Sequence, residues 1–259
     1  MSAPTETKNE AAVELAGVEK RFANGTLALE SLDLRVEQGS FTCLVGPSGC
    51  GKSTALRIVA GLSQASSGDV RVGNTGHQEI GFVFQEPTLM PWRRVRDNVR
   101  LPLQLRGADK SCAREKVDWA LDLVGLSDFR DAYPRELSGG MKMRVSIARA
   151  LVTEPSLLLM DEPFAALDEM TRFRLNDDLL RLWEEQRWSV VFVTHSVYES
   201  VYLADRVLVM APRPGRVVGE VTIEAPRPRD ESFRRSAVYG DCCSRVSALL
   251  SQANEAAHS

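Results

Sequence analysis

The run Gly46-Pro47-Ser48-Gly49-Cys50-Gly51-Lys52-Ser53, continuing into Thr54, has the spacing G-x-x-x-x-G-K-[ST]. Its glycines let successive backbone N–H groups turn toward one point without Cβ clashes, which builds a cradle for phosphate oxygens. A helix starting directly after the run adds its unsatisfied N–H groups and positive dipole end to the same anion. Lys52 then has the charge and reach for the β- and γ-phosphates of ATP, and the Ser53 hydroxyl is a suitable ligand for Mg²⁺. The plainer reading is a Gly-rich turn, but a chance match in a chain this long is on the order of 1%.

A second chemical feature is Asp161-Glu162, which follows the apolar run Leu157–Met160. A carboxylate at the end of a buried strand beside a phosphate loop is placed to hold Mg²⁺, directly or through water. The next carboxylate, Glu162, is then positioned to take a proton from an attacking water. Alone, the pair reads equally well as two solvated acids at a strand end. A third feature is Leu137-Ser138-Gly139-Gly140 ahead of the helical run Met141–Leu151. Ser138 is a good N-cap, and two glycines leave the first N–H groups open to an anion. In isolation this is simply a capped helix start. One chain thus carries two anion-binding helix starts but a single phosphate-loop lysine, and the economical account is that the second start caps the γ-phosphate held by another copy.

The elements that must position these residues are legible as short apolar runs between turn signals. Phe41–Val45, between Gly39 and Gly46, suits a strand buried on both faces, as do Leu157–Met160, Val190–Val193 and Val207–Met210. Thr54 to Ala60 has Leu56, Val59 and Ala60 at helical spacing, with Gly61 as a C-cap. Gly68 to Phe84 reads as short strands with turns at Gly73-Asn74 and Gly76. Arg93 to Leu151 is more helical and charged, with Val117, Leu121 and Val124 on one face. Strands alternating with helices predict a mostly parallel sheet covered by helices. Residues 1–12 are polar and expected to be disordered. From Ala211 prolines punctuate a tail that ends in an amphipathic stretch around Phe233 to Leu250.

Composition narrows the class. The 259 residues carry 32 Lys+Arg against 35 Asp+Glu, a net charge of −3, which argues against a nucleic-acid binder with a basic footprint. No stretch approaches the ~18–20 apolar residues of a membrane span, and the polar start lacks the apolar core of a secretory signal. The five cysteines, Cys43, Cys50, Cys112, Cys242 and Cys243, have no C-x-x-C spacing and read as reduced thiols. Lys52 and the helix start are expected to lower the Cys50 pKa, although a small filler at that position is the simpler role.

The phosphate-loop and Asp161-Glu162 segments, Leu137–Gly140, Gln85 and His195 stand in the order found in ATP-binding-cassette (ABC) transporter ATPase subunits, and the sequence resembles that family from about Val13 to Val221. Within it, Gln85-Glu86-Pro87-Thr88-Leu89-Met90-Pro91-Trp92 and Asp161-Glu162-Pro163-Phe164-Ala165-Ala166-Leu167-Asp168 resemble the nitrate/sulfonate/taurine importer branch. So does Phe192-Val193-Thr194-His195-Ser196 through Glu199-Ser200. The resemblance implies a RecA-like α/β P-loop NTPase core, an N-terminal antiparallel β part and an inserted α-helical subdomain. The ATPase domain would be residues 13–229, with the helical subdomain at 86–154 and a C-terminal helical tail at 230–259. It implies a homodimer closed head-to-tail around two Mg-ATP, so that each site is composite. Phe22, ahead of the first strand, would stack on adenine. Gln85 would touch Mg²⁺ or the lytic water, Asp168 would cross the dimer interface, and His195 would hold the γ-phosphate and orient Glu162. Glu162, His195, Gln85 and Lys52 are the catalytic set. Phe22, Gly46–Thr54, Ser138–Gly140 and Asp168 are the nucleotide-binding set, and Ser53, Gln85 and Asp161 the metal set. Met141 stands where many members have glutamine, and a thioether cannot donate the bonds an amide can.

The resemblance also implies partners: transmembrane permease subunits, indirectly a periplasmic solute-binding protein, and no nucleic acid. The place would be peripheral, on the cytoplasmic face of a bacterial inner membrane. Met90, Pro91 and Trp92, beside Arg93, Arg94 and Arg96, suit a helix-in-groove contact with a permease; the alternative makes Trp92 core and the arginines a solvated face. Cargo such as nitrate, sulfonate, taurine or a thiamine precursor is set by other subunits. A P-loop small-molecule kinase would need neither Leu137–Gly140 nor His195. A DNA-repair member would need a long heptad insert between Ser53 and Glu162, and a translation member usually carries two cassettes. A GTPase would need Asn-Lys-x-Asp, which is absent. An inactive scaffold would be expected to lose Lys52 or Glu162.

Overall fold

The computed structural model describes residues 11–73 and 80–256. Asn74 and Gly76 of the expected turns lie outside the described residues, as do 1–10 of the expected N-terminal stretch and 257–259 of the tail. The chain runs through β1 (Ala11–Arg21), β2 (Leu27–Glu37), β3 (Phe41–Val45), α1 (Lys52–Val59), β4 (Ser67–Val72) and β5 (Ile80–Val83). Helices α2 (Val95–Leu105), α3 (Lys110–Leu123) and α4 (Gly139–Leu151) follow, packed on one another. Then come β6 (Leu157–Asp161), α5 (Glu169–Gln186), β7 (Ser189–Thr194), α6 (Val197–Leu203), β8 (Arg206–Ala211), β9 (Arg216–Thr222), α7 (Glu231–Arg234) and α8 (Ala237–Ala256).

β2-β1-β4 form a small antiparallel sheet, and β5-β6-β7-β3-β8-β9 form the central one, parallel except for β9. The fold is therefore the expected α/β core with an antiparallel β part. The buried runs explain the layering, because side chains alternate across a strand. Leu44, Leu157, Leu159, Val191 and Val193 face a core shared with α1 and the small sheet. Phe41, Cys43, Leu158, Met160, Val190 and Phe192 face the opposite core, shared with α4, α5 and α8. No helix among the described residues is long and apolar enough to cross a membrane.

Strand β1 begins earlier than expected. Ala11 pairs with Glu37 in β1 and Ala12 is fully buried, so these two residues, expected to be disordered, lie in the sheet. The tail from Arg227 is tied to the core. Arg227 stacks on Trp183 at 4.2 Å and pairs with Asp205 at 2.7 Å. Arg229, 5% exposed, donates to the carbonyls of Val201, Tyr202, Ala204 and Ile223, capping the end of α6. Arg229→Met should cost about 3 kcal/mol of stability, because those buried carbonyls lose a charged donor. A denaturant titration reads this as a lower midpoint at unchanged slope.

Candidate functional site

The functional segments leave the carboxyl ends of adjacent parallel strands, where α/β sheets place their ligands. β3 ends at Val45 and releases the phosphate loop; β6 ends at Asp161, before Glu162; β7 ends at Thr194, before His195. The register Val45↔Thr194 and Asp161↔Val193 brings these ends side by side. Gln85 stands two residues beyond the end of β5.

The loop has the geometry its glycines require. Gly51 has φ +94°, and a Cβ there would lie 2.6 Å from Leu29 Cδ2 and 2.9 Å from the Ala28 carbonyl. α1 starts at Lys52 with no side-chain cap and no acid in its first turn, which leaves its N–H groups free for an anion. Lys52 is only 4% exposed; its ammonium donates to the Gly46 carbonyl at 2.8 Å and the Pro47 carbonyl at 3.1 Å, and lies 3.5 Å from Glu162. Ser53 Oγ donates to Asp161 Oδ1 at 2.7 Å. Burial pushes the Asp161 carboxyl up, the Ser53 bond draws it back, and the neighbouring Glu162 charge adds to the rise. A nearby cation would relieve that cost. Ser53 and Asp161 are oxygen donors of the kind Mg²⁺ takes alongside phosphates and water, and Gln85 lines the same cleft as Ser53.

Glu162 has a backbone the sequence did not announce. Its φ is +45°, a left-handed conformation costly for a residue with a Cβ, while its N–H is held by the Val193 carbonyl at 2.9 Å. That turn directs the carboxylate between Lys52 and His195, whose Nδ1 lies 3.1 Å from Oε2. A carboxylate held between a lysine and an imidazole at the mouth of a phosphate cradle can accept a proton and be oriented while doing so.

Above the loop is a cleft of about 790 Å³ lined by Ser48, Gly49, Gly51–Thr54, Gln85 and Glu162. Phe22 lines it too, 44% exposed, with Lys20 Nζ over its ring at 5.4 Å. It follows β1 instead of preceding the first strand, because β1 already runs from Ala11 to Arg21. Sequence reasoning missed Thr26, Leu27 and Ala28, and also Arg213 and Pro214, which complete the wall. These come from the β1–β2 turn with the first residues of β2, and from the β8–β9 turn, joined by Gly215 N–H to the Ala28 carbonyl at 3.1 Å. Cys50 is buried, and burial raises its thiol pKa more than Lys52 lowers it, which reverses the expected lowering. Cys242 and Cys243 are buried apolar packing, and all five cysteines are free.

Ser138, Gly139, Gly140 and Asp168 do not line this cleft. Ser138 caps α4, its hydroxyl accepting from Met141 N–H at 3.3 Å, and the Met141 side chain packs on the core. Gly140 allows a close approach to α5, since a Cβ would lie 2.8 Å from Thr171 Cγ2. Asp168 caps α5 by accepting from Thr171 N–H at 2.9 Å, and that bond lowers its carboxyl pKa. The start of α4 and the start of α5 at Asp168 are thus neighbours, outside the cleft above the phosphate loop. Trp92 is 74% exposed, which removes the core alternative, while Arg94 and Arg96 pair with Asp131.

The ABC transporter family profile matches residues 29–165. The nitrate import ATP-binding protein NrtD of Synechocystis is 43% identical over 234 residues, covering 86% of this chain and 88% of that one. The aliphatic sulfonates import ATP-binding protein SsuB of Bacillus licheniformis is 43% identical over 223 residues, covering 83% and 86%. A solved dimeric ATP-binding cassette in a post-hydrolysis state with ADP and Pi superposes with a TM-score of 0.72 at 33% identity, covering 83% of this chain and 100% of that one. With the phosphate loop, the carboxylate pair and the fold in place, the chain belongs to the ABC transporter family, as one of its ATP-binding ATPase subunits.

Proposed function

We infer that the chain powers an importer: two copies close head-to-tail around two Mg-ATP and drive solute uptake through separate permease subunits. The reading is carried by one observation, that Ser138–Gly140 and Asp168 sit together outside the cleft that holds Gly46–Thr54 and Glu162. A helix start built for an anion but remote from its own chain's cleft has use when a second copy brings a γ-phosphate to it. A monomeric kinase would leave that face without a role.

In this reading the nine residues Gly46 to Thr54 wrap the phosphates, and Lys52 turns from the Gly46 and Pro47 carbonyls toward the β- and γ-phosphates. Phe22 supports the adenine ring. Ser53, Asp161 and Gln85 would hold Mg²⁺, which supplies positive charge to the phosphate oxygens when bound. Glu162 takes a proton from water as the water oxygen bonds to the γ-phosphorus and the bond to ADP breaks. His195 fixes the Glu162 carboxylate, and its imidazole is in reach to donate to the γ-phosphate. Asp168 lies at the junction between copies. The import direction and a cargo of the nitrate or sulfonate kind rest on the names of the two relatives. The exposed Trp92 segment supports docking on a permease helix, which would make the subunit peripheral to the cytoplasmic face of a bacterial inner membrane, with a periplasmic solute-binding protein delivering cargo on the other side.

Mixing variants tests the composite site. Ser138→Arg and Lys52→Met should each lower phosphate release about 100-fold or more, since each breaks both sites of its own homodimer. Mixed together they should recover turnover, because one site then has both an intact Lys52 and an intact Ser138. Full turnover by Ser138→Arg alone, or no recovery on mixing, would count against the dimer.

A further inference from the structure

Away from the cleft, a cluster of buried polar groups ties two of the site segments together. Arg172 stands one turn into α5, its N–H bonded to the Asp168 carbonyl at 2.9 Å. Its side chain is 26% exposed, and Nη2 donates to the Leu167 carbonyl at 3.1 Å and the Ala165 carbonyl at 3.5 Å. On its other side Nε faces Glu199 Oε1 at 3.7 Å. Glu199, on α6, is 7% exposed, and its Oε2 accepts the Thr194 hydroxyl proton at 2.5 Å. Thr194 Oγ1 in turn accepts the Ser196 N–H at 3.0 Å, so this hydroxyl bridges the residues on either side of His195.

The contacts close into a ring. His195 meets Glu162 at 3.1 Å, and the turn from Glu162 onward is tightened by Ala165 N–H to the Glu162 carbonyl at 3.2 Å and Leu167 N–H to the Phe164 carbonyl at 3.2 Å. Arg172 then returns from Ala165 and Leu167 to Glu199, Thr194 and His195. A carboxylate and a guanidinium withdrawn from water this far are costly unless their geometry is used. Burial does push the Glu199 carboxyl up, while Thr194 and Arg172 hold it down. Arg172 Nε and Glu199 Oε1 stand 3.7 Å apart, beyond hydrogen-bond length, which leaves one contact of the ring able to tighten.

We propose that Arg172 and Glu199 are positioning residues for hydrolysis, a strut that sets Asp168 and His195 together so that contact with a second copy at Asp168 reaches Glu162 through His195. The strut rests on the roles given above to Asp168, His195 and Glu162. Neither residue lines the cleft above the phosphate loop, so the strut should act on turnover and spare binding.

The test is ATP turnover and Mg-ATP affinity of full-length Glu199→Gln, Arg172→Gln, their double variant and Arg172→Lys, each assayed well below its melting midpoint. Glu199→Gln keeps the size and the Thr194 bond but gives up the charge facing Arg172. It should lower kcat about tenfold with Kd within about twofold, as expected for a group that matters only to the reacting geometry. Arg172→Gln should match it, Arg172→Lys should recover part of kcat, and the double variant should fall no further than the weaker single, because both cut one strut. An unchanged kcat in Glu199→Gln, singles that multiply in the double, or a Kd that weakens as much as kcat would overturn it. Wild-type protein that neither hydrolyses ATP nor pairs would instead bring down the function reading beneath the strut.

Discussion

Glu162→Gln should hold ATP without splitting it, with kcat lowered about 10²- to 10⁴-fold, the range expected for loss of a general base. The geometry makes affinity move the other way. Glu162 stands 3.5 Å from the Lys52 ammonium and 3.1 Å from His195 Nδ1, so its negative charge competes with phosphate for both. An amide of the same shape removes that competition and releases Lys52 toward the nucleotide. Quenched-flow phosphate release and equilibrium ATP binding on the same preparation check both halves. A variant that turns over at the wild-type rate would place the base elsewhere.

Lys52→Met should do the opposite, weakening ATP binding about 10²- to 10³-fold. The loss corresponds to about 3–4 kcal/mol, the worth of charged hydrogen bonds to two phosphates at ~1.5–3 kcal/mol each, less partial compensation by water. Methionine keeps the length of the stem in a position that is nearly fully buried, so the change is in charge more than in packing. The Gly46 and Pro47 carbonyls also lose their donor, and the melting temperature should fall by a few degrees, on the order of 1 kcal/mol. Calorimetric titration separates the two effects. Nucleotide affinity equal to wild type would mean that the lysine serves only to close its own loop.

What the sequence made legible follows from how local the physics is. The cradle is one continuous segment whose glycines and lysine sit at fixed offsets, and the inner strands β3, β6, β7 and β8 are dominated by apolar runs because both their faces are buried. Asp161 and Glu162 were readable as acids at a strand end. The left-handed backbone that turns Glu162 between Lys52 and His195 was not, since φ +45° at a glutamate leaves no mark in residue type. The cleft wall at Thr26–Ala28 and Arg213-Pro214 escaped for another reason. It exists only where two turns far apart in the chain are joined by the Gly215–Ala28 and Glu30–Gly215 backbone bonds. Phe22 stands after β1 and not ahead of it, because that strand runs on through the charged Glu19-Lys20-Arg21, which carry no apolar signal. The facing of Arg172 and Glu199 has no local mark in the sequence, since the two meet only after α5 and α6 pack.

The most direct measurement of the central claim is the solution mass of Glu162→Gln by light scattering, with and without Mg-ATP. The chain of 28.6 kDa should double in mass when Mg-ATP is added and return to the monomer when it is removed. Adding Ser138→Arg should abolish the doubling while leaving ATP bound, since that residue lies outside its own chain's cleft. A variant that binds Mg-ATP tightly yet remains a monomer, alongside wild-type protein that turns over ATP as a monomer, would contradict the composite site and leave the Ser138–Gly140 helix start a structural cap.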